Sequence, residues 1–546
     1  MNIMKNKIFT RNYQPIIFFV FLVVLVVLPL WRSGYLFLLD WGIASGSIDI
    51  WRHSVLQMLL ICIGSYIHYG VFQKILLSGI LLLLGLGGYF LVKQIVIDEE
   101  KIIIKKWIPY IGGVFMMINP FTYVRLIDGQ WFVMLGMIGM VYMIAFFLRF
   151  WHTNARCDMI YAILSASISV MFLQHAIFMI CIISSIYYIF LWKKKKTAVV
   201  LTWSILLLCI VILTNLNVFL GYIFVNDHAD IDRFDDGHVQ AFHTVDHGYA
   251  SIYTNVLSLH GYWGERENRF FSTQEKTYLW KPIFFLFLML MIFGLWYERK
   301  NKTTWFLVCV GVVAYVLSLG TEGLFGSFSW FLYHHVPFYF GLRESQKWTI
   351  ALTISFIALF LQGVRHVMQY NKTIQATYLQ SIILIVMIFL YTPTMFWGFC
   401  GQLVSQDFPQ EWHDVRIQFG CNNDAKNILF LPWHQYMKMD FLGGKKIANP
   451  ANGFFGACVI NGDNIEAGHV YTQTDNGQSE IIARYAYGQI GDVNGCEQFV
   501  QDMHNFSVQR IILSKSEDFE KYGWIDGCEH VFKVHDGDFL SVYEIK

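Results

Sequence analysis

The first four hundred residues carry one apolar run after another, broken by short basic loops, and that pattern leaves few folds open. A helix that crosses a hydrocarbon core of about 30 Å needs roughly 17–25 apolar residues. Within a bilayer every backbone polar group must find its partner inside the chain, so runs of this length read as membrane helices. Charged residues are 14% of the 546, where a soluble chain carries about 25%, and the mean hydropathy is +0.45. The pattern predicts a polytopic α-helical membrane protein of about 11 transmembrane helices. Their cores fall at 15–31, 75–92, 107–123, 131–148, 159–173, 176–192, 199–224, 282–296, 305–319, 348–364 and 378–397. The first run is followed by Leu30-Trp31-Arg32-Ser33, which offers no small-x-small cleavage site, so it reads as an anchored helix.

Basic residues fall on alternate loops: Lys5, Lys7 and Arg11; Lys101, Lys105 and Lys106; Arg149 and Arg156; Lys193 to Lys196; Arg299, Lys300 and Lys302; Arg365 and Lys372. Cytoplasmic loops collect Lys and Arg, so the N-terminus is expected inside and the C-terminus outside. A crossing at Ser54 to Tyr69 would break that alternation, and the segment reads as an interfacial or re-entrant helix. Residues 1–398 thus form a membrane domain, and the polar residues 399–546 form an extracytoplasmic α/β domain. A net charge of +1 excludes a strongly basic nucleic-acid binder. Cys400, Cys421, Cys458, Cys496 and Cys528 lie at or beyond the last run, where at most two bridges can form and the pairing stays open. The long outer loops, 32–74, 225–281 and 320–347, mark the outside as the working face.

Asp40 stands in the apolar stretch Gly34-Tyr35-Leu36-Phe37-Leu38-Leu39-Asp40-Trp41, at the outer end of the first run. A carboxylate there needs a partner or a task. It reads either as an interfacial acid wetted at the headgroups or as a catalytic base. Asn119-Pro120 and Gly129-Gln130-Trp131 bracket a turn in which Arg125, Asp128 and Gln130 crowd one span end. Arg343 and Lys347, in Gly341-Leu342-Arg343-Glu344-Ser345-Gln346-Lys347-Trp348, open the tenth run from outside. Two cations at a helix N-terminus oppose its macrodipole, and a bound phosphate would resolve the conflict. Pairing with Glu344 is the alternative. In the second outer loop, His243 and His247 are spaced i,i+4 around Asp246. That loop reads as a solvated acidic segment or, if helical, as a site for a divalent cation such as Mg²⁺ or Mn²⁺. Tyr262 and Trp263 suit stacking on sugar or burial, and Trp433 with His434 suits carbohydrate or docking of the domain onto the membrane.

The Gly-Tyr-x-x-x-x-Asp stretch, the Asn-Pro-Phe…Gly-Gln turn, the Arg-Glu-x-x-Lys segment and Leu431-Pro432-Trp433-His434 together resemble the GT-C superfamily of membrane glycosyltransferases. The similarity is distant, to mycobacterial arabinofuranosyltransferases and YfhO-type membrane proteins. It implies transfer of a sugar from a polyprenyl-phosphate donor, across the outer face of a prokaryotic cytoplasmic membrane, to a cell-envelope glycan or glycoprotein acceptor. It also implies Asp40 in the place of the catalytic acid residue. Many such enzymes carry a paired acid in this loop; here Trp41 follows Asp40 and the next acid is Asp49, a candidate substrate contact beside Gln130, Tyr262, Trp263, Trp433 and His434.

The chemistry that fits is an inverting displacement. Asp40 takes the acceptor's proton, and Arg343, Lys347 or Arg125 binds the departing phosphate. A lipid-linked-sugar transporter or flippase, and a non-catalytic assembly protein, are the rival readings. No internal repeat or paired broken helices support a transporter.

Overall fold

The computed structural model describes residues 13–41, 53–96, 99–192, 197–224, 235–247, 249–421, 426–467, 470–472, 477–488 and 493–546. Seven helices are long and apolar enough to cross a membrane: Tyr69–Ile95, Ile102–Ile127, Trp131–Thr153, Trp280–Tyr297, Lys302–Glu322, Ser345–Gln369 and Ile374–Tyr391. They coincide with seven of the expected runs, and the protein is a multi-pass helical membrane protein. The other expected runs lie on Gln14–Val27, Arg156–Phe172, Ala176–Trp192 and Thr197–Thr214, helices of 14, 17, 17 and 18 residues. The run at 199–224 is not one helix. Asn215 turns its side-chain amide back onto the Val211 carbonyl at 2.9 Å, and a separate helix starts at Leu216.

Ser54 opens the helix Val55–Tyr66 with a capping box shared with Gln57. Twelve residues rise only about 18 Å, too little for a crossing, in keeping with an interfacial or re-entrant segment. The Asn119-Pro120 pair does not simply end a span. Asn119 Oδ1 accepts from the Thr122 N–H at 3.0 Å and caps the next helix, Pro120–Ile127, which carries the chain to the turn at Asp128–Gln130.

Past the last long helix, a five-stranded sheet runs in the order Val531–Asp536, Leu540–Ile545, Val508–Ser514, Asn427–Leu431, Val459–Ile460. Two of its three inner strands, Asn427–Leu431 and Val508–Ser514, pair in parallel. Side chains alternate across a strand, so Leu429, Leu431 and Ile511 pack on one face with Phe499 and Tyr522, while Ile428, Phe430 and Ile512 pack on the other with Trp412 and Phe455. Cys421 bonds Cys458, and Cys496 bonds Cys528, which leaves Cys400 unpaired.

The outer loop after the first helix is tied to this sheet region. Tyr35–Leu36 pairs antiparallel with Ser405–Gln406, and the Ala448 N–H donates to the Leu38 carbonyl at 3.1 Å. Phe37 sits among Phe408 and Phe441 in the sheet's aromatic core. From the other side, Gln73 acts as a one-residue strand: its Nε2 donates to the Leu36 carbonyl at 2.8 Å and its Oε1 accepts the Leu36 N–H at 2.9 Å. The loop is therefore a strap fixed on both flanks, and Asp40 lies at its end.

Candidate active site

The strap ends where it meets the 128–130 turn. The Asp40 N–H donates to the Asp128 carbonyl at 2.9 Å. This close approach needs Gly129, whose φ is +90° and where a Cβ would stand 2.8 Å from the Trp41 nitrogen. The next residue, Gln130, donates from Nε2 to Asp40 Oδ2 at 2.8 Å. Its Oε1 accepts from Arg125, which cannot accept in return, so the amide must present its N–H₂ to the carboxylate.

Arg125 is fully buried and bonds Glu344 Oε2 at 2.8 Å, across 219 positions of sequence. Its guanidinium also lies over the Tyr262 ring, 4.3 Å from the centroid. Tyr262 donates to Asp128 Oδ2 at 2.5 Å, and Arg269 Nη1 approaches the same oxygen at 3.4 Å. Three carboxylates, Asp40, Asp128 and Glu344, thus meet Arg125, Arg269 and Arg343 at one end of the helix bundle. Lys347 is buried directly below, its Nζ donating to the Gly341 carbonyl at 3.3 Å.

The two key acids are driven in opposite directions. Burial pushes Glu344 up, but Lys347, Arg125 and Arg343 outweigh it and hold the carboxyl at about 2. Burial, with the charges of Asp128 and Glu344, pushes Asp40 up to about 7, against the hydrogen bond from Gln130. Protein crowds Asp40, yet its side chain opens onto a cavity of about 440 Å³. Four segments wall that cavity: Leu39 and Asp40 from the strap, Phe242, Trp263 and Arg269 from the second outer loop, Arg343 and Glu344 from the third, and Gln435, Tyr436, Lys446, Ala448 and Glu466 from the sheet region. The volume lies within the roughly 300–1,000 Å³ usual for ligand sites.

The expected site residues fare differently. Asp40, Arg343 and Trp263 line the cavity, and Gln130 stands behind Asp40. Arg125 bonds Glu344 and Gln130 through Nη1 and does not line the cavity, so it braces the site. Tyr262 is buried against Asp128. Trp433 is fully buried in the sheet core and has no surface for a sugar. Its neighbour His434 bridges Glu466 at 2.9 Å and Asp518 at 3.0 Å; burial lowers its pKa, but the two carboxylates raise it to about 9. Asp49 lies outside the described residues.

The helical spacing proposed for a cation at His243, Asp246 and His247 is absent. Residues 243–246 are irregular, His247 has φ +55°, His243 bonds the Gln240 carbonyl, and His247 pairs with Glu265 at 2.9 Å. No group of three or more His, Cys, Asp or Glu that could hold a metal ion forms among the described residues. Sequence reading missed Arg269, Tyr436, Lys446 and Glu466 as wall residues, and it assigned Glu344 only to its neighbours. The crowding of polar groups at Arg125, Asp128 and Gln130 was the one visible signal of the network.

With this geometry in view, the solved structures give a context. Arabinofuranosyltransferase AftD from Mycobacteria is similar over 98% of this chain and 41% of that one, with 10% identity and a TM-score of 0.60. The Archaeoglobus fulgidus oligosaccharyltransferase, tethered to an acceptor peptide containing the NVT sequon, is similar over 97% of this chain and 74% of that one, with 10% identity and a TM-score of 0.51. The fold is GT-C-like. The chain spans about two fifths of the length of AftD, and at this identity the likeness is one of fold. No family model matches the sequence, and no curated protein matches it.

Proposed function

We propose that the protein is an inverting membrane glycosyltransferase that moves a sugar from a polyprenyl-phosphate donor to a cell-envelope acceptor outside the membrane. The observation that carries this reading is the sharing of one cavity by Asp40 and Arg343. Asp40 serves as general base: it removes the proton from the acceptor hydroxyl as that oxygen attacks the anomeric carbon. The bond from that carbon to the donor phosphate breaks, and the polyprenyl phosphate leaves with the electron pair. Arg343 stabilises the charge that develops there, with Lys347 adding positive potential from below. Gln130 holds Asp40 toward the cavity, and the Arg125–Glu344 pair holds Gln130.

Asp128 Oδ2 is engaged by Tyr262 and Arg269 and Glu344 Oε2 by Arg125, and no metal-holding group of three or more His, Cys, Asp or Glu forms among the described residues, so no step is routed through a metal. An apolar cavity of about 540 Å³, lined by Phe178, Cys181, Phe219, Pro337 and Phe338, suits an isoprenyl tail. It reaches His175, which packs against Gly341 beneath the Arg343 segment.

The topology that goes with this reading has eleven crossings, the N-terminus inside and the sheet region outside, where an oxidising compartment permits its two disulfides. Labelling of single cysteines from outside is expected near residue 500 and not near residue 195. The enzymatic reading is tested by mass-detected sugar transfer in membranes. Asp40→Asn is expected to lower transfer about 10²–10⁴-fold with donor binding kept. Arg343→Ala is expected to raise the donor KM or slow release. Unchanged transfer in both variants would refute it.

A further inference from the structure

The two sides of the Asp40 cavity differ in chemistry. The membrane side brings Arg343, Arg269, Glu344 and Asp40, a wall of fixed charge. The sheet region brings Gln435, Tyr436, Lys446 and Glu466, and no step described so far uses them.

Glu466 is the best-held member. Its Oε1 accepts from His434 Nδ1 at 2.9 Å, from Asn464 Nδ2 at 2.7 Å and from the Tyr487 hydroxyl at 3.4 Å. Among the described residues its Oε2 accepts from none. The carboxylate is thus clamped through one oxygen, and the other remains for a ligand. His434 is clamped in turn, since its Nε2 reaches Asp518 Oδ1 at 3.0 Å, and Asp518 pairs with Lys521 at 2.8 Å. Gln435 follows the same logic: its Oε1 is buried without a hydrogen-bond partner, while its backbone N–H is fixed by Asn464. Lys446 makes no ion pair among the described residues.

We propose that Glu466, Gln435, Lys446 and Tyr436 form a carbohydrate subsite for the acceptor, with Glu466 and Gln435 accepting from sugar hydroxyls and Lys446 and Tyr436 donating to them. A sugar hydroxyl both donates and accepts, so a ring with several of them matches a wall that holds both kinds of partner. A single serine or threonine hydroxyl has one proton to donate, so it could not satisfy both acceptors of the four groups. Phe242 and Trp263 line the same cavity with Arg343 and Arg269 over their rings, so they hold the two cations in place. The donor's charged end belongs at Arg343, which the membrane domain supplies, and that leaves the groups from the sheet region to the acceptor. His434 is a positioning residue that keeps Glu466 in place.

The inference rests on the transferase reading, and two measurements separate their failures. The first needs no turnover: saturation-transfer NMR on the full chain in nanodiscs, with methyl glycosides of arabinofuranose, mannose, glucose and galactose as probes. At least one glycoside is expected to bind the wild type, to lose about tenfold or more in affinity in Glu466→Gln, and to bind Arg343→Ala as before. The second is transfer in membranes, where Glu466→Gln is expected to raise the acceptor KM about tenfold with the donor KM within about twofold. His434→Gln should give the same split in milder form, which a merely structural histidine would not. No glycoside binding by the wild type, or equal binding by Glu466→Gln, would overturn the subsite. Binding as expected without any transfer would overturn the transferase reading and leave the subsite standing.

Discussion

Two polar cavities sit at opposite ends of the helix Ser345–Gln369, separated by roughly 25–30 Å of its length. One is the Asp40 cavity. The other, about 530 Å³, is lined by Glu99, Lys101, His152, Glu298, Arg365 and Gln369 among others. Both are dense in charge, but the charges are spent differently. At the far end Arg365 bonds Glu298 and lies 3.7 Å from Glu99, His366 reaches Glu298 at 2.8 Å, and Gln369 reaches Glu99 at 2.7 Å. Glu99 and Glu298 each answer a base or an amide, and the result is a staple. At the Asp40 end, Glu344 is neutralised by Arg125, but the one side-chain hydrogen bond to Asp40 among the described residues comes from a neutral amide. Charge density alone does not mark a working site. An acid kept short of a counter-charge, beside an open volume, does so better.

That contrast can be broken by substitution. The largest effect on stability is expected for Glu344→Gln, which leaves the Arg125 guanidinium buried without its counter-charge. Loss of one partner from such a pair costs about 3–5 kcal/mol. Thermal unfolding of the purified protein should show the drop, and transfer should be lost with it. Arg365→Gln at the staple is expected to cost less, about 1–3 kcal/mol, because this pair is partly open to solvent and Gln keeps one donor. Donor and acceptor KM values should stay as in the wild type. A change in either would mean that the staple communicates with the site. The smallest effect belongs to Gln130→Leu. Removing the amide that stabilises the Asp40 carboxylate should move the acid limb of the transfer rate to higher pH, by about half to one unit.

Much of the membrane part was legible because its signal is local. Seven long apolar runs suffice to predict seven helices, and Asp40 and Arg343 stand out because charge is rare among such runs. Pairings over long distances were not legible. Glu344 sits beside Arg343 and Lys347 in sequence, so its bond to Arg125 could not be read from either segment. The pairing of Tyr35–Leu36 with Ser405–Gln406, which aims the strap, is a two-residue ladder with no pattern of its own. Trp433 misled because a buried and a sugar-stacking tryptophan look alike in sequence; only its zero exposure separates them. His243 and His247 misled because the i,i+4 rule presumes a helix, and that segment has none.

The measurement that bears most directly on Asp40 as the base of a transferase is the rate of sugar transfer in membranes against pH, wild type beside Asp40→Asn. Burial and the neighbouring carboxylates raise Asp40 to about 7, so its basic form is depleted as pH falls below that value. The wild-type rate is expected to rise with pH through a midpoint near 7, and the variant to stay at background throughout. A wild-type rate that remains flat down to the ordinary carboxylate range of about 4, or an Asp40→Asn protein that transfers as fast as the wild type, would contradict it.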